Sequence, residues 1–179
     1  MPINYFQPIC NISPYKQAKT TSNNNIFGLC DDSTPNSKTP AYIDNTNKSN
    51  WIATVINKQN LLVEFYAVDN CRGTLNKDGN SESECDGILR YKTNTLVFVE
   101  LKNKKSNWLK SGAEQMSITI QYFKQKKTED NYIIKNCLCN KKHPKFSLND
   151  RVVSTADIEL KFKKETGIAL HVSTEINID

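Results

Sequence analysis

The chain has 179 residues, 37% hydrophobic and 24% charged, which is room for one domain with a real core but hardly for two. No apolar run is long enough to span a bilayer, and the start Met1 to Pro8 lacks the basic and apolar segments of a secretory leader. A membrane protein, a coiled coil, a collagen-like repeat and a wholly disordered tail are therefore excluded, and a cytoplasmic location is expected. The 24 Lys and Arg outweigh 19 Asp and Glu for a formal net charge of +5, and only Arg72, Arg90 and Arg151 are arginines. Lysine-borne charge suits phosphate backbones more than bidentate base reading. A nucleic-acid partner is permitted by this balance, although a Lys-rich surface also serves plain solubility.

Residues 1–50 differ from the rest. Five of the six prolines fall there, with polar tracts such as Thr20 to Asn25 and Asp31 to Ser37, which favour turns over ladders. They read as an irregular N-terminal arm packed on the domain and tied down by Tyr5-Phe6, Ile26-Phe27 and Tyr42-Ile43. Residues 51–179 read as the core. Trp51 to Ile56 and Leu61 to Val68 are β-rich runs joined by polar residues 57–60, a hairpin pattern. Arg72 to Glu84 reads as a mobile surface loop. Asp86 to Tyr91 and Leu96 to Lys102 then form two strands about the turn at residues 92–95.

A helix follows. Ser106 is a plausible N-cap, and Trp108, Leu109, Gly112, Ala113, Met116, Ile120 and Phe123 recur at three- and four-residue steps to about Lys127. Asn131 to Cys139 is a further strand, Ala156 to Lys164 a short helix, and Gly167 to Val172 a last strand. A sheet with helices packed on it makes the fold class α/β or α+β. Six cysteines without a leader point to reduced thiols. Cys137-x-Cys139-x3-His143 invites a zinc reading, but the C-x-C pair lacks the usual ligand spacing and a fourth ligand would have to come from Cys10, Cys30, Cys71 or Cys85.

The chemistry concentrates between Asp86 and Lys102. In a strand, side chains two apart share a face, so Glu100 and Lys102 project together while Val97, Val99 and Leu101 fill the other side. A carboxylate and an ammonium ending an apolar strand are costly to bury unless paired or bound. With a five-residue connection from Arg90 to Leu96, Asp86 lies opposite Glu100; with a four-residue connection it faces Leu101 on the wrong side unless a bulge intervenes. Two converging carboxylates suit a hard divalent ion such as Mg²⁺, and the Leu101 carbonyl offers another ligand.

Asp86, a thirteen-residue gap, then Glu100-Leu-Lys102 on a hydrophobic strand resembles the PD-(D/E)xK nuclease superfamily. The resemblance spans about Cys85 to Phe123. It implies a restriction-endonuclease-like mixed sheet with flanking helices and Mg²⁺, replaceable by Mn²⁺, held by Asp86 and Glu100. Lys102 would orient or help deprotonate the attacking water, and Gln115 and Tyr122 of the next helix would stand beside the metal. The substrate implied is DNA more than RNA, in restriction or defence against foreign DNA, by a homodimer or part of a larger complex. Lys104, Lys105 and Lys110 would line the phosphate track, with Lys124, Lys126 and Lys127 beyond them. Two features depart from the family: Cys85 stands where Pro is common, and no upstream helical acid is evident, because Glu64 and Asp69 fall in a predicted strand. Two other readings fit the same residues: a non-cleaving nucleic-acid- or protein-binding module on this fold, and a structural protein whose E-x-K is an exposed ion pair.

Overall fold

The structure is a computed structural model that describes residues 4–13, 15–34, 36–73, 82–126, 131–142 and 153–179. In chain order its elements are β1 (Lys19–Ser22), β2 (Ile26–Cys30), β3 (Tyr42–Asp44), β4 (Ala53–Ile56), β5 (Val63–Ala67) and β6 (Gly87–Tyr91). There follow β7 (Thr95–Lys102), α1 (Trp108–Lys126), β8 (Ile133–Asn140), α2 (Val153–Thr166) and β9 (Glu175–Asn177). The strands form a five-stranded sheet, β1-β5-β6-β7-β8, and a four-stranded sheet, β3-β2-β4-β9. Both are mixed: β7 and β8 run parallel, as do β4 and β9, and all other neighbours are antiparallel. The α+β class read from the sequence is the class observed.

Alternation along β7 builds three layers. Val97, Val99 and Leu101 pack between the sheets with Cys137 and Cys139 of β8 and Phe27, Leu29 and Val55 of the smaller sheet. Leu96 and Phe98 face the other way, onto Met116, Ile120 and Phe123 of α1 and Phe162 of α2. Every residue of β7 is buried, which suits a strand covered on both faces and paired on both edges. The parallel pairing of β7 with β8 needs a long connection, and α1 lies within it.

Several expectations are corrected. The first fifty residues are not an irregular arm: β1 joins the larger sheet, and β2 and β3 build half of the smaller one. Trp51 to Ile56 and Leu61 to Val68 are not a hairpin, because β4 pairs with β2 and β9 while β5 pairs with β1 and β6. The linker between them crosses from one sheet to the other. Buried Asn57 pins it, donating to the carbonyls of Asn24 and Leu61 and accepting the Leu61 N–H. The final strand is β9, not residues 167–172, of which Val172 makes one isolated bridge to Leu138.

Cys10 and Cys71 are joined in a disulfide, against the expectation of reduced thiols, while Cys30, Cys85, Cys137 and Cys139 are free and buried. Cys137 and Cys139 place their sulfurs 3.6 Å apart in the inter-sheet core; His143 lies outside the described residues. Arg72, expected at the start of a surface loop, is buried and donates to the carbonyls of Tyr5, Gln7 and Ile9. Residues 74–81 of that loop lie outside the described residues. No described helix is long and apolar enough to cross a membrane.

Candidate active site

The β6–β7 turn sets the geometry. Arg90 pairs with Leu96, Tyr91 with Thr95 and Gly87 with Val99, so the connection has five residues and the register brings Asp86 opposite Glu100. Gly87 makes this possible by close approach, since a Cβ there would sit 2.3 Å from Phe65 Cζ and 2.8 Å from the Tyr66 carbonyl oxygen. Asp86 then turns its Oδ2 to accept the Leu101 N–H at 2.5 Å. The Leu101 side chain itself is in the inter-sheet core.

Glu100 and Lys102 share the face of β7 that α1 covers. Gly112 lets the helix settle there: a Cβ at that position would lie 2.5 Å from Leu138 Cδ1 and 3.2 Å from Glu100 Cγ. Glu100 is consequently 0% exposed, Asp86 7% and Lys102 9%. The Lys102 ammonium forms an ion pair with Glu100 Oε1 and donates to Gln115 Oε1 at 2.6 Å. Gln115 in turn donates from Nε2 to the Glu84 carbonyl at 3.1 Å. One turn on, Thr119 accepts the Cys85 N–H at 2.9 Å and donates to the Gln115 carbonyl. Helix α1 thus clamps the backbone just before Asp86 and the ammonium just after Glu100. Glu100 Oε2 is buried with no hydrogen-bond donor.

These surroundings control charge. Burial pushes the Glu100 carboxyl up to about 7 even though Lys102 pulls it down. Burial also raises Asp86 well above the usual carboxylate range, and the charges of Glu100 and Asp31 add to the effect. For Lys102 burial disfavours the charged form, but the charge and hydrogen bond of Glu100 outweigh it and hold the ammonium protonated. Two carboxylates facing one ammonium leave the cluster short of positive charge. Asp69 and Asp31 deepen the shortage; burial raises both carboxyls, and Lys102 lowers both.

Sequence reasoning set Asp69 aside as a strand residue and did not single out Asp31, yet the charge of Asp69 acts on Glu100 and that of Asp31 on Asp86. Asp69 follows β5, where its N–H donates to the Cys85 carbonyl. Asp31 follows β2 in the other sheet, and the loop it begins touches Asn70 through Ser33. A strand-end acid beside the D…E-x-K segment was a signal for Asp69, whereas no local pattern announces Asp31.

The structure brings Asp86, Glu100, Lys102 and Gln115 together, with Leu101 between them. Lys104 and Lys105 are exposed just past β7. Lys110 stands on the first turn of α1, where it lines the groove between the helices with Glu114, Asp157 and Glu165. Tyr122 is half-buried further along α1. Lys124 donates to the Thr166 carbonyl at the end of α2, an intramolecular cap rather than an open ammonium. Lys127 and the side chain of Lys126 lie outside the described residues.

The chain matches no protein-family model, curated protein or solved structure. The donor set must therefore be judged on its own chemistry. Among the described residues no three Asp, Glu, His or Cys side chains gather closely enough to hold a metal by themselves. Asp86 and Glu100 do fit Mg²⁺, which takes one or two carboxylates and completes its octahedron with water and substrate oxygens. The orphaned, buried Glu100 Oε2 is the atom that such an ion would satisfy.

Proposed function

We propose that the protein is a Mg²⁺-dependent nuclease of the PD-(D/E)xK kind that hydrolyses phosphodiester bonds, with DNA as the substrate. The observation that carries the reading is the buried Asp86–Glu100 pair, facing each other across β6 and β7 beside a single ammonium and short of positive charge. Asp86, Glu100 and the Leu101 carbonyl would hold the ion, which supplies Lewis acidity and a water made acidic enough to attack near neutral pH.

The chain's own residues do the rest. Lys102, kept protonated by Glu100, is a donor and positive charge for the non-bridging phosphate oxygens rather than a base. Gln115 fixes that ammonium from the helix and ties it to the strand before Asp86. Gly112 keeps water from the back of Glu100 by letting α1 sit close. Lys104 and Lys105 follow at the rim, where phosphates of a polynucleotide would pass.

Incubation with plasmid and single-stranded DNA in Mg²⁺, Mn²⁺ or chelator tests this. Cutting that requires metal is expected, with Asp86→Asn, Glu100→Gln and Lys102→Ala each reducing it by roughly a hundredfold or more while the fold is retained. Binding without cutting under any metal would instead support the non-cleaving module. Cutting that survives all three substitutions would discard this site.

A further inference from the structure

Beyond the acid pair lies a second construction. Asn140, the last residue of β8, is 1% exposed. Its Oδ1 accepts the N–H groups of Lys104 at 3.3 Å and Lys142 at 3.2 Å, and its Nδ2 donates to the Lys104 carbonyl at 2.8 Å. The Lys141 N–H donates to the Lys102 carbonyl at 2.9 Å. Because β7 and β8 are parallel with Lys102 beside Asn140, both chains leave the sheet at the same end, next to Glu100. One buried amide therefore gathers the backbones of Lys104 and Lys142, and Lys141 is tied to Lys102 itself.

Gathering like charges costs free energy unless an anion meets them. Elsewhere on the surface several lysines have carboxylate partners: Lys19 with Glu64, Lys135 with Asp179, and Lys161 with Glu114 and Glu165. Among the described residues neither Lys104 nor Lys142 has one, and the Lys141 ammonium reaches only the Ser49 carbonyl. Lys48, next to Ser49, holds its ammonium over the Trp51 ring at 5.8 Å and adds a further positive charge nearby. All are exposed.

We infer that Lys104 and Lys142, gathered by Asn140, and Lys141, tied to Lys102, form a bank that receives the phosphate backbone of a nucleic-acid strand and leads it to the acid pair. The inference rests on the nuclease reading for its destination, but the bank is made of different residues. Lysines rather than arginines line it, which suits backbone contact without base reading. Its strand therefore needs no particular sequence.

The test is binding of fluorescein-labelled single-stranded and duplex DNA to the full chain in chelator, followed by anisotropy between 50 and 200 mM NaCl. The triple variant Lys104→Ala, Lys141→Ala, Lys142→Ala is expected to bind at least tenfold more weakly at the lower salt. Its plot of log affinity against log salt should be shallower by about 0.7–0.9 for each phosphate contact removed. Lys163→Ala with Lys164→Ala, on the last turn of α2, is expected to stay within twofold of wild type. Unchanged affinity in the triple variant, an equal loss in the α2 variant, or equally tight binding of labelled polyglutamate would overturn the bank. A chain that binds through these lysines yet fails to cut in the presence of either metal would end the nuclease reading alone; a chain that cuts normally while the triple variant binds as wild type would end this one alone.

Discussion

The larger sheet carries two Glu–Lys ion pairs, and they behave in opposite ways. At one, Glu64 of β5 stands beside Lys19 of β1 and opposite Arg90 of β6, with side chains between 19% and 32% exposed. At the other, Glu100 and Lys102 share β7, and the Glu100 side chain is 0% exposed. Burial raises Glu64, but Lys19, Tyr66 and Arg90 together outweigh it and lower the carboxyl, so it is an ordinary surface ion pair. Burial outweighs Lys102 and raises Glu100 to about 7. The difference is cover: α1 lies over the end of β7, with Gly112 against Glu100. An E-x-K on an exposed face would resemble the first cluster; this one is a carboxyl held out of water, an arrangement that costs stability.

That contrast can be broken by titration. In metal-free protein, Glu100 keeps its proton in the folded state to a higher pH than in the unfolded chain, so the folded state binds more protons in that interval. Stability should then fall as pH rises from the ordinary Glu value toward about 7, by up to about 3 kcal/mol, and level off above it. Asp86, also raised, acts in the same direction. Glu100→Gln should remove much of this slope and melt higher than wild type at pH 8 in chelator. A Gln variant that melts lower at pH 8 would mean that the carboxylate stabilises the fold, as a surface pair does.

Gly112→Ala sharpens the role of the cover. In an open helix the change would stabilise by about 1 kcal/mol through propensity. Here the added Cβ meets Leu138 and Glu100, so a net loss of about 1–3 kcal/mol by denaturant unfolding is expected, together with weaker cutting. A gain in stability would show that α1 does not press on Glu100.

Glu64→Gln is the smallest change. Its lowered carboxyl contributes stability above the ordinary Glu value that is lost as pH falls through the folded value, the reverse of Glu100. With this degree of exposure the loss at pH 7 should stay below about 1 kcal/mol in thermal melts, shrink with salt, and leave cutting within twofold. A larger loss would erase the distinction between the two clusters.

What the sequence revealed follows the reach of each signal. The period-two pattern from Leu96 to Lys102 put Glu100 and Lys102 on one face, and the observed pairing of Arg90 with Leu96 put Asp86 across from them, because both depend on residues a few positions apart. The three- and four-residue stripe located α1 and, through it, Gln115. Sheet partners are a different matter. Ala53–Ile56 reads as the mate of the next strand, yet it crosses to β2 and β9 because its apolar residues face the larger sheet across the core. The same non-local choices moved β1, β2 and β3 out of an apparent arm and brought Asp31 toward Asp86. They also set Asn140 between two lysine-bearing loops and Cys10 against Cys71. Lys104 lies 36 residues from Asn140 and Cys71 lies 61 from Cys10, beyond the reach of any local pattern.

The most direct measurement is calorimetric titration of the metal-free protein with Mn²⁺ at pH 7.5, for wild type, Glu100→Gln, Asp86→Asn and Glu64→Gln. One site is expected in wild type and in Glu64→Gln, with heat lost or affinity lowered at least tenfold in the other two. Equal binding by all four proteins, or none by wild type, would contradict a cation site between β6 and β7.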